Sequence, residues 1–138
     1  MADDFLLTIV TPERSLFSGR VVEFVAPGIM GEFGVLPGHA HMLAELDVGW
    51  IRFKKEGDEY RIAAGGGFAE VTGEKVTVLL DKALFLDEII AEEMREAFET
   101  QSKLEYAPQD EQYLEWQISL KWISMCLQFG GDPAKRAS

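Results

Sequence analysis

The sequence predicts two units of different class: short β-strands arranged as an antiparallel sandwich or barrel over residues 1–85, then an antiparallel two-helix hairpin over residues 86–138. Three observations carry this. Runs of β-branched and aromatic residues recur at close spacing, with Gly, Pro, Ser or acidic turn signals between them. From Asp81 onward the apolar period changes from two to steps of three and four. Between the early strands lies the stretch Gly28–Leu43, in which Gly28, Gly31, Gly34 and Gly38 alternate with apolar residues.

The elements follow in order. Phe5–Thr11 reads as a strand ended by Pro12, and Ser15–Phe17 as a brief one turning at Ser18–Gly19. Val21–Ala26 is stopped by Pro27–Gly28. His41–Leu46 is extended, and Val48–Lys55 alternates, with Trp50, Arg52 and Lys54 opposite Ile51 and Phe53. Glu56–Glu59 makes a hairpin turn to Tyr60–Ala64. Gly65–Gly67 bends the chain by a strand kink or close backbone approach. Phe68–Thr72 and Lys75–Leu80 close the set.

In the C-terminal part, Asp87 or Asp81 is placed to cap a first helix whose apolar face is Ile90, Met94, Ala97, Gln101 and Leu104, with Phe98 beside it. Pro108 ends that helix and Asp110 is placed to cap the second. Tyr113, Trp116, Leu120, Ile123 and Leu127 then repeat at three and four, and Ile118, Trp122, Met125 and Phe129 form a second stripe. Trp116, Leu120, Ile123 and Leu127 are therefore the expected packing residues of the hairpin. Gly130–Gly131 and Asp132–Pro133 stop it. The second helix is apolar over more than half its circumference, so its second face needs cover. The sandwich of the same chain is the expected one.

Composition excludes several functions. At 138 residues and 47% hydrophobic content the chain buries a core without disulfide or metal. A formal charge of −11 argues against nucleic acid and against anionic lipid. The single Cys126 permits no internal disulfide and reads as a small buried hydrophobe. With no basic, apolar leader and no membrane-spanning run, a soluble intracellular protein is expected.

The chemistry-bearing residues form no active site. His39 and His41 lie two apart near Glu32, but no third ligand in a recognised spacing joins them, so no metal is expected. The glycine run lacks the Lys–Ser/Thr of a phosphate loop, and Glu32 would repel phosphate. Ser15, Ser18, Thr8 and Thr11 have no histidine and carboxylate partners in motif spacing. What the run Gly28–Leu43 does have is apolar surface: Ile29, Met30, Phe33, Val35, Leu36, Met42 and Leu43. Such a segment packs on its own domain or meets a partner.

One set of motifs decides between those outcomes. Phe17–Ser18–Gly19 precedes Gly31–Glu32–Phe33–Gly34–Val35–Leu36–Pro37–Gly38–His39–Ala40. Then come Gly49, Ile51–Arg52, Gly66–Gly67–Phe68, Glu70–Val71 and Lys75–Val76–Thr77–Val78–Leu79. In order and spacing, over roughly the first 85 residues, this set resembles the epsilon subunits of bacterial and chloroplast F-type ATP synthases, called delta in mitochondria. The resemblance implies a β + α fold: an N-terminal antiparallel β-sandwich of about ten short strands, then a C-terminal antiparallel two-helix hairpin.

It further implies a non-catalytic central-stalk rotor subunit of a proton-translocating synthase, at the cytoplasmic face of the bacterial inner membrane. The implied partners are the gamma subunit, the polar loops of the c-ring and, through the hairpin, the catalytic beta subunits, without insertion into lipid. Glu32, Phe33, Val35, Leu36 and His39 correspond to the part that faces gamma and the ring. The hairpin departs from the family. Its second helix holds only Lys121 as an internal base and carries Trp116, Trp122 and Phe129, which suggests a hairpin held down. The family's nucleotide pattern, Ile/Leu-Asp-x-x-Arg-Ala, is matched only by Ala91–Glu92–Glu93–Met94–Arg95–Glu96, so no nucleotide cofactor is expected. The alternative reading is a free-standing epsilon-like paralogue that acts as a binding or regulatory module for another partner.

Overall fold

The computed structural model describes residues 3–129. Eight strands are followed by a short 3-10 turn and two helices: β1 Phe5–Val10, β2 Ser15–Val21, β3 Glu23–Gly28, β4 Gly31–Val35, β5 Met42–Lys55, β6 Asp58–Val71, β7 Lys75–Leu80, β8 Ala83–Phe85, α1 Ala91–Ser102 and α2 Tyr113–Phe129. The hydrogen-bonded order is β2-β1-β7-β6-β5-β3-β4, with β8 also on β6. All pairs are antiparallel except β1 with β7, which run parallel from Leu6 opposite Lys75 to Val10 opposite Leu79. The N-terminal strand is thus stitched beside a late one.

The described residues form eight strands where the resemblance implied about ten: of the eight read from the sequence two pairs are continuous, and two further strands are added. His41–Leu46 and Val48–Lys55 are one strand, β5. Tyr60–Ala64 and Phe68–Thr72 are one strand, β6. The two pair from Met42 opposite Val71 to Lys55 opposite Asp58. At their shared hairpin Glu56 and Gly57 both have positive φ, 52° and 83°, as a tight primed turn demands. Gly66 and Gly67, at φ 91° and 147°, bend β6 without ending it. A Cβ on Gly67 would run into the Leu79 carbonyl and come 2.8 Å from Leu80 Cα, so only glycine lets β7 approach here. Two strands are additional to the expected set. β4 lies inside the glycine stretch, and β8 has three residues, too few for a periodic signal.

The long strands bury both faces. Phe5, Leu7, Ile9, Phe24, Ile51, Phe53, Ile62, Val71, Val76 and Val78 form the sandwich core. Across it the Phe17 and Phe53 rings meet at 4.5 Å, joining β2 to β5. On the opposite face Val48, Ala63 and Ile89 form a second cluster with Trp122, Ile123 and Cys126 of α2. Trp50, Ala63 and Leu84 lie in one row across β5, β6 and β8, a floor for the hairpin.

The hairpin therefore docks on its own sandwich. Trp122 and Ile123 are each 7% exposed, and Lys82 Nζ sits 4.7 Å above the Trp122 ring. Trp116 Nε1 donates to the Gln101 carbonyl at 2.7 Å, tying the helices together, while Leu120 and Leu127 are half-buried. On the first helix Met94 and Ala97 join the buried cluster, whereas Ile90 and Leu104 are exposed and lie outside α1. Neither Asp81 nor Asp87 caps α1: its N-cap is Ile90, with no side-chain hydrogen bond. Asp110 accepts instead from the Ala107 N–H behind it, closing the inter-helix turn. The expected stop at Gly130–Pro133 lies outside the described residues, as does the Phe129 side chain.

Two ion pairs flank the docked unit. Arg14 grips Glu88 in a fork, at 2.8 and 2.6 Å, holding the linker against the β1–β2 loop. Lys121 Nζ donates to Asp47 Oδ2 at 2.7 Å. That hydrogen bond, aided by the Val48 N–H against the cost of burial, holds the Asp47 carboxyl below its ordinary value. A depressed carboxyl stabilises the docked form above its ordinary range, and the contribution is lost as pH falls through the depressed value. Both groups are about half exposed, so the expected effect is below about 1 kcal/mol. Asp47→Asn should remove only the part of the loosening below about pH 4 that arises at this site, read by tryptophan emission.

Candidate functional site: an apolar tip and sheet face

β3 and β4 are paired from Phe24 opposite Val35 to Gly28 opposite Gly31, so Ile29 and Met30 occupy the two-residue tip between them. Gly31, at φ 124°, supplies the conformation that closes it. Met30 is 95% exposed and Ile29 51%. At the other end of β4, His39 N donates to the Leu36 carbonyl at 3.1 Å across Pro37 and Gly38. Gly38 has φ 82°, the geometry of a type II turn with Pro then Gly at its centre. Leu36 is 61% exposed on that turn, and His39 Nδ1–H donates to the Ala40 carbonyl at 2.7 Å.

The expected contact set is therefore divided. Leu36 and His39 lie beyond one end of β4, Glu32 and Phe33 within it. Glu32 already has a partner, receiving a hydrogen bond from Arg52 Nη2 at 2.9 Å. Phe33 is half-buried, its ring 6.4 Å from Phe24. Val35 corrects the expectation: at 1% exposure it belongs to the sandwich core and offers a partner nothing. It closes β4 on the inward side of the pleat, opposite Phe24, and anchors the Leu36–His39 turn.

Five residues outside the expected set extend the surface. Ile29 N donates to the Glu45 carbonyl, Glu45 pairs with Phe68, Phe68 with Leu79, and Leu79 with Val10. One row thus crosses β5, β6, β7 and β1. On it Phe68 is 49% and Leu79 55% exposed, and Leu43, two residues before Glu45, is 70% exposed. Their chain neighbours Gly67, Ala69, Val78 and Leu80 face inward. A half-buried strand normally places polar residues on its outer face, so these apolar ones form a candidate contact surface. Ile29 and Met30 were visible in the sequence as apolar residues of the glycine stretch, but the strand that makes them a tip was not. Leu43, Phe68 and Leu79 depend on register.

Among the described residues no group of three or more His, Cys, Asp or Glu side chains is placed to hold a metal ion. Open depressions of about 430 Å³ beside the tip and about 320 Å³ beside Leu79 have mainly apolar walls. No described helix is long and apolar enough to cross a membrane.

Comparison with known proteins agrees with this geometry. The family described as ATP synthase, Delta/Epsilon chain, beta-sandwich domain matches residues 4–85. An ATP synthase epsilon chain of Geotalea uraniireducens is 36% identical, over 99% of this chain and 100% of its own length. One from Carboxydothermus hydrogenoformans is 46% identical over 72% of this chain and 74% of its own. The fold resembles a chain in the cryo-EM structure of the Euglena gracilis mitochondrial ATP synthase, OSCP/F1/c-ring, with TM-score 0.79 and 23% identity over 91% of this chain and 80% of that one. It also resembles one in the central stalk/c-ring structure of the Tetrahymena thermophila enzyme, with TM-score 0.64 and 12% identity over 89% and 96%. The chain belongs to the delta/epsilon-chain family of ATP synthases.

Proposed function

We propose that this subunit joins the gamma shaft to the polar loops of the c-ring in a proton-translocating synthase, on the cytoplasmic face of a bacterial inner membrane. The observation that carries the reading is apolar surface where a free-standing sandwich would be polar: Met30, Leu43, Leu36, Leu79, Ile29 and Phe68. The tip and the Leu36–His39 turn are the parts assigned to the ring and the lower shaft, and the row through Phe68 and Leu79 to gamma. Glu32 and Arg52, as a partly exposed pair, can exchange partners with charged groups of the ring loops. Contact with the catalytic beta subunits, and any restraint on ATP hydrolysis, falls to the hairpin, where Glu92, Glu93, Glu96 and Glu99 of α1 stay exposed in the docked position.

The test is binding of charge-bearing variants to the gamma–c-ring assembly. Buried interface anchors cost about 2 kcal/mol or more when lost. Met30→Asp and Leu43→Asp should each weaken association roughly 30-fold, Leu36→Asp similarly, and Glu32→Arg by less than about tenfold. Normal affinity and normal coupling in a chain carrying all three aspartates would remove this surface from the account.

A further inference from the structure

The sulfur of this chain lies in one cysteine, Cys126, and five methionines, Met1, Met30, Met42, Met94 and Met125. Met1 is outside the described residues, and all but one of the rest are shielded. Cys126 is fully buried, and burial pushes its thiol up to about 11, so it offers no thiolate at neutral pH. Met42 packs against the sandwich core, and Met94 and Met125 pack against the hairpin cluster. Met30 is the exception, 95% exposed at the β3–β4 tip and in neither cluster. Its companions on the exposed apolar surface, Ile29, Leu36 and Leu43, are hydrocarbon and inert to peroxides. The most exposed apolar side chain of the candidate contact surface is thus also the one whose sulfur a dissolved oxidant reaches.

We propose that Met30 is a redox-modification site, converted by hydrogen peroxide to methionine sulfoxide, and that the sulfoxide weakens the seating of the tip on its rotor partner. The second half rests on the proposed function, which assigns the tip to the ring and lower shaft. What it adds is a chemical control over that contact. The step is an oxygen transfer. A lone pair of the thioether sulfur attacks one peroxide oxygen, the S–O bond forms as the O–O bond breaks, and the other oxygen leaves as water. Sulfur gives up two electrons and the peroxide takes them. The product replaces a flexible apolar end by a strongly polar one. In the free chain water solvates that group, and the sandwich is undisturbed because Met30 takes no part in its core. Pressed into an apolar contact, the sulfoxide oxygen finds a donor or loses its hydrogen bonds to water. A reductase that oxidises two thiols to a disulfide removes the oxygen as water, so the change is reversible. Once the tip is seated, partner atoms cover the sulfur, and oxidation therefore falls on the chain before assembly.

The experiment exposes the full chain to hydrogen peroxide, follows each methionine by peptide mass spectrometry, and titrates treated and untreated chain against the gamma–c-ring assembly. Met30 should oxidise at least about tenfold faster than Met42, Met94 and Met125. The Met30 sulfoxide form should bind roughly tenfold more weakly than untreated chain, and a methionine sulfoxide reductase should restore the affinity. In Met30→Leu the affinities before and after the same treatment should agree within about twofold. Chain already seated on the assembly should oxidise at Met30 at least about tenfold more slowly than free chain, because the contact excludes solvent. Met30 oxidation no faster than that of the half-buried methionines overturns the inference. So does a sulfoxide form of undiminished affinity, or a Met30→Leu chain that weakens as much as the wild type. Each of these leaves the proposed function standing. Equal Met30 rates in free and seated chain would mean an uncovered tip, overturning the inference and that part of the proposed function. Untreated chain that binds neither gamma nor the ring would remove the proposed function, and the inference with it.

Discussion

Trp122→Ala is expected to free the hairpin from the sandwich while leaving the sandwich folded. Trp122, Ile123 and Cys126 belong to a cluster separate from the sandwich core, so the hairpin's attachment is a local equilibrium on top of a stable body. Truncating a buried tryptophan removes about 3–5 kcal/mol, and the Lys82 ammonium over its ring loses its partner as well. At about 1.4 kcal/mol per tenfold, Cys126 should become at least about 100-fold more reactive toward a thiol reagent. The urea midpoint followed by the sandwich strands should move little. Ile123→Asp should act in the same direction, because docking would bury an unpaired carboxylate. Unchanged labelling in both variants would mean that other contacts hold the hairpin down.

Gly67→Ala should destabilise the sandwich itself. At φ 147° a non-glycine residue is strained, and the added Cβ meets backbone atoms of Leu79 and Leu80, which cannot swing away as a side chain could. Strain and overpacking together cost roughly 2–5 kcal/mol, visible as a lower urea midpoint with an unchanged slope. Gly34→Ala is the control. Its Cβ would find nothing closer than 3.9 Å and its φ is not in the left-handed region, so a change below about 1 kcal/mol is expected. The contrast tests whether the bend of β6 against β7, and not glycine content in general, shapes the sandwich.

Much of the fold was legible because each unit announces its period. The change after Asp81 marked the hairpin. The apolar circumference of the second helix required a second surface, and the sandwich supplies it through Val48 and Ala63. Strand continuity was less legible. Gly65–Gly67 reads equally as a break or a bend, and the parallel pairing of β1 with β7 leaves no local mark. β4 was hidden because glycines that suit a turn also suit a narrow edge strand. For the contact surface, residue type was a good guide and facing was not. Val35 and Leu36 are adjacent and chemically alike, yet one is 1% and the other 61% exposed. Phe68 faces outward while its small neighbour Ala69 faces in, the reverse of what size suggests. Such assignments follow from register, which is settled by pairings between strands far apart in sequence.

The most direct test of the account is titration of the intact chain with its cognate gamma subunit, alone and assembled on the c-ring. The account predicts a one-to-one complex that survives removal of the catalytic subunits, tightens when the ring is present, and is lost in the Met30→Asp/Leu36→Asp/Leu43→Asp chain. A correctly folded wild-type chain that binds neither gamma nor the ring would contradict it, and would instead favour a sandwich serving another partner.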